Sequence, residues 1–204
     1  MPRKLLVTGG AGFVGSNLIY YWLDRHPADR IVVLDALTYA GNLSSLKSAL
    51  TDPRLTFVKG DITIPGLAEG LLRDHELTAI VHLAAESHVD RSIAGPDPFL
   101  YTNVIGTHVL LQAARTVWLQ QGNWIAGARF HFVSTDEVYG PVGPDSAART
   151  EDSPYAPSSP YAASKAAGDH LVHAYHRAPM ACRSLLRTAP TSTALINSRR
   201  SSSP

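Results

Sequence analysis

The chain lacks most features that mark secreted, metal-binding or nucleic-acid-binding proteins. Its 204 residues include one cysteine, Cys182, which excludes a disulfide framework and a cysteine-based metal cluster. The histidines show no HxH or HExxH spacing, so we predict no metal site. A formal net charge of +1 gives no reason to expect nucleic acid or an anionic membrane as a partner. No apolar run is long enough for a signal peptide or a membrane span, and we expect a cytoplasmic protein.

What the sequence does contain is a regular alternation of short apolar runs with longer amphipathic ones. The apolar runs predict strands at residues 4–8, 31–35, 55–58, 79–84 and 129–134. The amphipathic runs predict helices at residues 15–25, 43–50, 67–74, 98–121 and 161–177. Strands that are apolar throughout are typical of a sheet covered by helices on both faces. The fold class we predict is therefore α/β, a doubly wound parallel sheet.

A glycine-rich segment, LLVTGGAGFVGSN, joins the first predicted strand to the first predicted helix. Gly9, Gly12 and Gly15 would permit a tight turn, the close approach of backbone to a pyrophosphate, and close helix packing. The start of the helix would offer unpaired N–H groups to the phosphates. A glycine triplet alone is a weak signal, and a simple tight turn is the alternative. The flanking strand and helix, with Asp35 about twenty residues further on, favour a dinucleotide site of the Rossmann type.

Asp35 ends the apolar run IVVLD and is predicted to bind a ribose 2′-hydroxyl. Because a carboxylate there would repel the 2′-phosphate of NADP, we expect NAD as the cofactor. Further cofactor contacts are expected from Phe13, Val14, Leu37, Thr38, Asp61, Ile62, Leu83, Ala84, Ala85, Ser87 and Thr102. For Asp61 the alternative is a helix N-cap. For Thr102 and Asn103 it is a plain position on a helix surface.

Two further motifs carry groups suited to acid–base chemistry. In STDEVYG, Thr135 precedes the adjacent acids Asp136 and Glu137, whose charges must be solvated or paired at the end of a buried strand. The alternative for this pair is a surface or helix-capping role. In YAASK, Tyr161 and Lys165 lie four residues apart, on one helix face. A neighbouring ammonium and a nicotinamide charge would lower the pKa of the phenol and make it a base.

The loop between these motifs, residues 141–160, is rich in Pro, Ser, Ala and Gly. A loop of this length is typical of a lid or binding loop, and its position directly after the two acids favours a lid over them. A plain surface loop is the alternative.

The segments TGGAGFVG, HLAAESHVDRS, STDEVYG and YAASK, together with Asp35, resemble the extended short-chain dehydrogenase/reductase family over residues 3–177. The run Thr135-Asp136-Glu137 is similar to that of the nucleotide-sugar 4,6-dehydratases, whereas the related epimerases generally lack the acid pair. The segments DALTYAGN and ESHVDRSI are most like the members that act on dTDP-glucose. Alternatives are another nucleotide-sugar 4,6-dehydratase, an epimerase, or a non-catalytic NAD-binding module.

The resemblance implies NAD-dependent dehydration of a nucleotide sugar. Tyr161 would take the C4 hydroxyl proton beside Lys165, and Thr135 would hydrogen-bond the C4 oxygen. Glu137 would take the C5 proton, while Asp136, held protonated, would protonate the departing C6 hydroxyl. Crowding two carboxyls favours such opposite protonation states, because a like charge raises one pKa. The resemblance also places Ser87 near the substrate and implies a homodimer formed through residues 98–121 and 161–177.

Residues 178–204 do not continue this pattern, and we expect no strand and no domain structure there. Read two bases later, codons permitted for this segment can give T-Y-G-L-P-V-V-I-T-N-C and then S-N-K-Y-G-P. That peptide resembles what the dehydratases carry after their tyrosine–lysine helix. We interpret residues 178–204 as a frameshifted tail and residues 1–177 as the NAD-binding domain with the catalytic residues, truncated before the substrate-binding subdomain. The alternative is a divergent natural tail.

The coding DNA tests the frameshift interpretation directly. The stretch that encodes His176 to Met180 is the most informative, and we expect the codons from Ala178 onward to give T-Y-G-L-P-V-V-I-T when read two bases later. Codons incompatible with that reading, in an uninterrupted frame, would contradict it.

Overall fold

The computed structural model describes residues 2–143, 148–177 and 185–189. Its centre is a parallel six-stranded sheet in the order β3-β2-β1-β4-β7-β8. The strands are β1 (Lys4–Thr8), β2 (Arg30–Asp35), β3 (Leu55–Lys59), β4 (Ala79–His82), β7 (Arg129–Val133) and β8 (Leu185–Ala189). Two-residue strands β5 (Leu119–Gln120) and β6 (Asn123–Trp124) form a separate antiparallel pair. The strand order reverses between β1 and β4, and ligands bind at such a reversal in open α/β sheets.

Six α-helical segments connect or follow these strands. They are α1 (Phe13–Arg25), α2 (Leu67–Asp74), α3 (Val89–Ala94), α4 (Asp97–Phe99), α5 (Thr107–Trp118) and α6 (Pro160–Arg177). A π-helical segment, Leu100–Gly106, joins α4 to α5. Short 3₁₀ turns span Leu43–Leu46, Ala49–Thr51 and Asp136–Tyr139. Within the described ranges, no helix combines the length and apolar character needed to cross a membrane.

The strands are apolar on both sides because helices cover both faces of the sheet. Leu6 and Leu34 belong to the core cluster that includes residues of α2, α5 and α6. Val7 and Val33 belong to a second cluster that includes Ile19 of α1. Successive strand residues point to opposite faces, so one strand contributes to both clusters. The prediction of a doubly wound α/β sheet is confirmed.

All five predicted strands are present, with ends within two residues of those expected. The predicted helix at 67–74 is confirmed, and the helix predicted at 161–177 begins one residue earlier. The helix predicted at 43–50 is wrong, since that segment forms two 3₁₀ turns. The Asn42 side chain accepts a hydrogen bond from the Ser44 N–H, and such local bonds compete with a regular helix. The helix predicted at 98–121 ends at Trp118, where the chain enters the β5–β6 pair.

The expectation of no strand after residue 177 is wrong for Leu185–Ala189. This segment forms β8 and pairs in parallel with β7, with Phe130 opposite Leu185 and a register shift before the Val133–Ala189 pair. The edge of β7 presents unpaired backbone groups, and an extended segment can satisfy them. The rest of the tail assigned to a frameshift lies outside the described residues.

Two glycines in helix interiors test how tightly the helices pack on the sheet. A methyl group at Gly168 on α6 would lie 2.6 Å from the buried Phe132 ring, whereas one at Gly70 on α2 would meet nothing within 4 Å. We expect Gly168→Ala to lower the free energy of unfolding by roughly 1–3 kcal/mol through overpacking. We expect Gly70→Ala to raise it by about 0.5–1 kcal/mol. Urea unfolding measures both changes, and an equal gain from the two would contradict the packing described.

Candidate active site

A cavity of about 390 Å³ lies at the carboxyl edge of the sheet, between the glycine-rich turn, the loops after β2 and β4, and α6. Most of the residues expected to bind the cofactor line it: Gly9, Gly12, Phe13, Val14, Gly15, Asp35, Thr38, Asp61, Ile62, Leu83, Ala84, Ala85, Ser87, Thr102, Tyr161 and Lys165. Leu37 is not among the lining residues and packs instead against the core cluster that includes Ile19. The sequence reasoning did not single out Gly41, Gly60 and Glu86, which also line the cavity.

The glycine turn is shaped by two close approaches and one open position. Gly9 has a positive φ of 70°, and a Cβ there would lie 2.6 Å from the Ala84 backbone nitrogen. A Cβ on Gly15 would lie 2.3 Å from the Gly9 carbonyl oxygen. Gly12, in contrast, has no heavy atom nearer than 3.4 Å to such a Cβ, and it begins α1 without a side-chain cap. The turn therefore leaves space and backbone N–H groups at the helix start, which suits a pyrophosphate.

Asp35 ties this turn to the loop after β2. Its Oδ2 accepts a hydrogen bond from the Ala11 N–H and its Oδ1 accepts one from the Leu37 N–H, both at 2.8 Å. Each carboxylate oxygen has two lone pairs, so both retain capacity for a ribose hydroxyl. With the open glycine cradle, this donor and acceptor set fits a dinucleotide.

Asp61 forms a local turn. Its Oδ1 accepts from the backbone N–H and the hydroxyl of Thr63, both at 2.8 Å. The next helix, α2, has Gly66 at its N-cap, so the alternative of an N-cap role for Asp61 there is wrong.

Tyr161, on α6, lies beside the acid pair. Burial is the largest effect on its pKa and raises it, a hydrogen bond with Thr135 lowers it, and the charges of Glu137 and Asp136 raise it. The net shift is upward for the protein groups alone, and the expected lowering by the ammonium together with a nicotinamide charge stays a prediction. The ammonium of Lys165 is instead engaged by the Val133 carbonyl oxygen, to which Nζ donates at 2.6 Å.

The acid pair occupies the first turn of the 3₁₀ segment Asp136–Tyr139. Thr135 caps this segment, since its Oγ1 accepts from the Glu137 N–H at 3.3 Å, while the two acid side chains are exposed. Glu137 is exposed overall but partly desolvated, and this desolvation, followed by the charge of Asp136, raises its pKa. A raised pKa strengthens a carboxylate as a base. The capping role considered for the acids therefore belongs to Thr135, and the crowding of the pair acts on Glu137.

Asn103 holds the loop after β4 against α6. Its Oδ1 accepts from the Glu86 N–H at 2.9 Å, and its Nδ2 donates to the Glu86 carbonyl oxygen and to the Ser164 hydroxyl at 2.9 and 2.8 Å. Ser164 in turn donates to the Tyr161 carbonyl oxygen at 2.7 Å. Asn103 is 1% exposed, so the alternative of a surface position is wrong. An amide within the apolar run FLYTNVIG was the sequence signal for this role.

A directional hydrogen-bond chain passes through the buried His82. The Thr107 hydroxyl donates its proton to the Asn103 carbonyl oxygen at 2.6 Å. In its contact with His82 Nε2, at 3.0 Å, the same hydroxyl must therefore accept. His82 Nδ1 then accepts from the Thr8 hydroxyl at 2.8 Å. Burial lowers the pKa of His82 to about 3, with a smaller contribution from the Lys165 charge. His82 is therefore a neutral Nε2–H tautomer that links β1, β4 and α5 behind the cavity.

The fold and this site define a dinucleotide-binding domain of the Rossmann type with a Tyr161–Lys165 pair, as in the extended short-chain dehydrogenases/reductases. A family model described as GDP-mannose 4,6 dehydratase matches residues 6–189. The chain belongs to this family.

Curated relatives named dTDP-glucose 4,6-dehydratase are similar over most of this chain. The protein from Haemophilus influenzae is 49% identical over 85% of this chain and 52% of its own length, and that from Xanthomonas campestris is 53% identical over 84% and 48%. The solved dTDP-glucose 4,6-dehydratase DesIV from Streptomyces venezuelae, with NAD bound, is 52% identical with a TM-score of 0.78, over 86% of this chain and 52% of that one. The chain therefore spans about half the length of the relatives it matches.

A more distant solved structure has a different named activity. UDP-glucose 4-epimerase from Brucella ovis, in complex with NAD, is 27% identical with a TM-score of 0.72, over 86% of this chain and 48% of that one.

The neutral His82 predicts a defined pH dependence of stability. Its pKa is about 3 in the folded chain and 6.5 ordinarily, so below pH 6.5 the unfolded state binds the extra proton. The free energy of unfolding should be highest above pH 6.5 and fall by up to about 1.4 kcal/mol per unit as the pH decreases. His82→Gln should remove most of this slope between pH 6.5 and about 4.5 in urea titrations.

His131 provides the control. Burial also lowers its pKa, but it is less deeply buried, so His131→Gln should flatten the slope less. An unchanged slope in His82→Gln would contradict the neutral tautomer.

Proposed function

We propose that this chain is the NAD-binding half of a dTDP-glucose 4,6-dehydratase and carries its acid–base groups. The observation that supports this most directly is that Tyr161, which lines the cavity, is hydrogen-bonded to Thr135 and is close enough to Asp136 and Glu137 for their charges to raise its pKa. The relatives that are about 50% identical to most of this chain are named dTDP-glucose 4,6-dehydratase. An epimerase needs no acid pair beside its tyrosine, so the pair favours dehydration.

NAD would be held by the residues that line the cavity. The backbone at Gly12 and the start of α1 would receive the pyrophosphate, and Asp35 would receive the adenosine ribose. Lys165 would contact the nicotinamide ribose from α6. When bound, NAD supplies a hydride acceptor and later donor for the sugar, and its positive charge opposes the upward pKa shift of Tyr161.

The side chains would move protons at three sugar atoms. Tyr161 takes the proton from the C4 hydroxyl while Thr135 hydrogen-bonds the C4 oxygen. Glu137, whose raised pKa makes it the stronger base, takes the proton from C5 next to the C4 ketone and later returns it. Asp136 supplies the proton with which the C6 hydroxyl leaves as water. Ser87 would hold the substrate from the loop after β4.

We also propose the division of the chain made from the sequence. Residues 1–177 would be the NAD-binding domain, and residues 178–204 a frameshifted tail of which 185–189 pair with β7. A homodimer would form through the π-helical segment and α5 together with α6, since Leu100, Tyr101 and Ile105 expose 48%, 67% and 45% of their surface. Pairing of two copies would cover these apolar side chains. The cytoplasm is the compartment we propose.

The glycine cradle gives a test of NAD binding that leaves folding intact. A methyl group at Gly12 fits the protein alone, with φ at −76° and no close contact, but it would occupy space needed by the pyrophosphate. We expect Gly12→Ala to weaken NAD binding at least about tenfold in isothermal titration calorimetry, or about 1.4 kcal/mol, with an unchanged melting temperature. Gly70→Ala, a methyl group at an open position outside the cavity, should leave NAD affinity unchanged.

Turnover separates the proposed function from its alternatives. The 204-residue chain should bind NAD but convert dTDP-glucose negligibly, because the remote contacts that position a nucleotide sugar would come from the other half of the relatives. NMR analysis of products from dTDP-glucose and UDP-glucose measures this, since dehydration releases water and epimerisation does not. Turnover at the rate of a full-length relative would contradict the inactivity, and absence of NAD binding would contradict the whole proposal.

A further inference from the structure

Asp169 is a buried carboxylate that the proposed chemistry does not use. It lies on α6 and is 1% exposed. Its Oδ2 accepts hydrogen bonds from the Ser134 hydroxyl and from the Tyr155 hydroxyl, the latter at 3.1 Å. Its Oδ1 has no hydrogen-bond partner among the described residues. A buried polar group of this kind requires an explanation, because burial without a partner costs free energy.

The position of Asp169 extends a series of contacts between α6 and the end of β7. Tyr161, Lys165 and Asp169 are spaced four residues apart, so they occupy successive turns on one face of the helix. Tyr161 bonds with Thr135, Lys165 donates to the Val133 carbonyl oxygen, and Asp169 accepts from Ser134. Three successive turns of the helix therefore contact the consecutive residues 133–135. Asp136 and Glu137 come directly after this segment in the chain.

The hydrogen bonds indicate that Asp169 is ionised. Two hydroxyl donors converge on Oδ2, so that oxygen carries no proton. A proton on Oδ1 would be a buried donor without an acceptor. Burial and the charge of Asp169 raise the pKa of Tyr155, so this phenol keeps its proton and donates it. Burial, the largest effect, raises the pKa of Asp169 above its ordinary value, and the hydrogen bonds from Ser134 and Tyr155 and the charges of Lys165 and His173 offset this only in part. The assignment of a carboxylate therefore rests on the two hydroxyl donors and not on the pKa shift.

The negative charge of Asp169 affects the protonation of Lys165 more than it would that of an exposed lysine, because Lys165 is buried. It is 4% exposed, and burial lowers its pKa to about 8, while the charge of Asp169 raises it. Its ammonium lies 4.2 Å from the centre of the Phe132 ring. The other titratable group affected by Lys165, His82, is neutral and contributes no charge. Without Asp169, Lys165 would be a buried cation with no anionic partner among the described residues that influence it.

We propose that Asp169 is a positioning residue of this site, which anchors Ser134 at the end of β7 and keeps Lys165 protonated at neutral pH. Its relevance to catalysis rests on the proposed function, but the charge of Lys165 can be measured without NAD or substrate. The inference therefore fails or stands separately from the dehydratase assignment.

The four lysines of the chain, Lys4, Lys47, Lys59 and Lys165, make a direct measurement practicable. In protein labelled with ¹³C-lysine, the Cε shifts are followed against pH, and Lys165→Arg identifies the Lys165 signal. We expect Asp169→Asn to lower the pKa of Lys165 by about one unit or more, since an opposite charge nearby has an effect of this size. Asp169→Glu, which keeps the charge, should restore much of the pKa. NAD affinity in Asp169→Asn should fall more at pH 8 than at pH 6.5.

Asp74→Asn provides the control, because it removes an exposed carboxylate on α2 and should leave the pKa of Lys165 unchanged. A purely structural role for Asp169 would lower the melting temperature of Asp169→Asn without moving the pKa of Lys165. That result would overturn the proposal.

A second measurement uses the unaltered chain, in case Asp169→Asn does not fold. In protein labelled with ¹³C-aspartate, the Cγ shift of Asp169 should be that of a carboxylate at pH 7, where Lys165 is protonated. A protonated Asp169 at pH 7 would overturn the proposal as well.

Discussion

The attachment of α6 to Val133, the last residue of β7, and to Ser134 and Thr135, which follow it, sets the geometry of this site. The helix supplies Tyr161 and Lys165, whereas the strand end supplies Thr135 and leads into the acid pair. Their contacts are hydrogen bonds between side chains or with the Val133 carbonyl oxygen, and each is worth roughly 1–3 kcal/mol net, the bonds of the charged groups being the stronger ones. Because they lie at three successive turns of the helix, a slip of either element would break all of them together. The relative position of the phenol and the carboxylates is thereby fixed.

Burial acts on the groups of this site in one consistent direction. It lowers the pKa of Lys165 and of His82 and raises that of Tyr161, and partial desolvation raises the pKa of the exposed Glu137. Each shift favours the neutral form, because a low-dielectric surrounding disfavours charge of either sign. The protein groups alone thus hold the phenol back from ionising. Under the proposed function, the positive charge of a nicotinamide ring in the adjacent cavity would lower the pKa of the Tyr161 phenol and favour its ionisation. Hydride transfer would neutralise the ring and remove this effect.

The sequence predicted the sheet well, because strands covered on both faces must be largely apolar, as IVVLD and RFHFV are. It also predicted most of the cavity lining, since glycine spacing and strand ends fix where a dinucleotide can lie. It failed where local polar groups decide the backbone, as at Asn42, and where chain pairing decides it, as for Leu185–Ala189. The roles of Asn103 and Asp169 depend on partners 17 and 35 residues away along the chain, which no local pattern reveals.

The two backbone hydrogen bonds accepted by Asp35 have a consequence for cofactor engineering. A common strategy for making such a site accept a phosphorylated dinucleotide is to replace the acid by a neutral or basic residue. Here that replacement would also remove the acceptor of the Ala11 and Leu37 N–H groups. The hydrogen bond from the Asn42 N–H to the Ala11 carbonyl oxygen would then be left to hold the glycine-rich turn against the loop that begins at Ala36. A successful redesign would have to supply a new acceptor for these two amides, for example from the side chain at position 38 or 41.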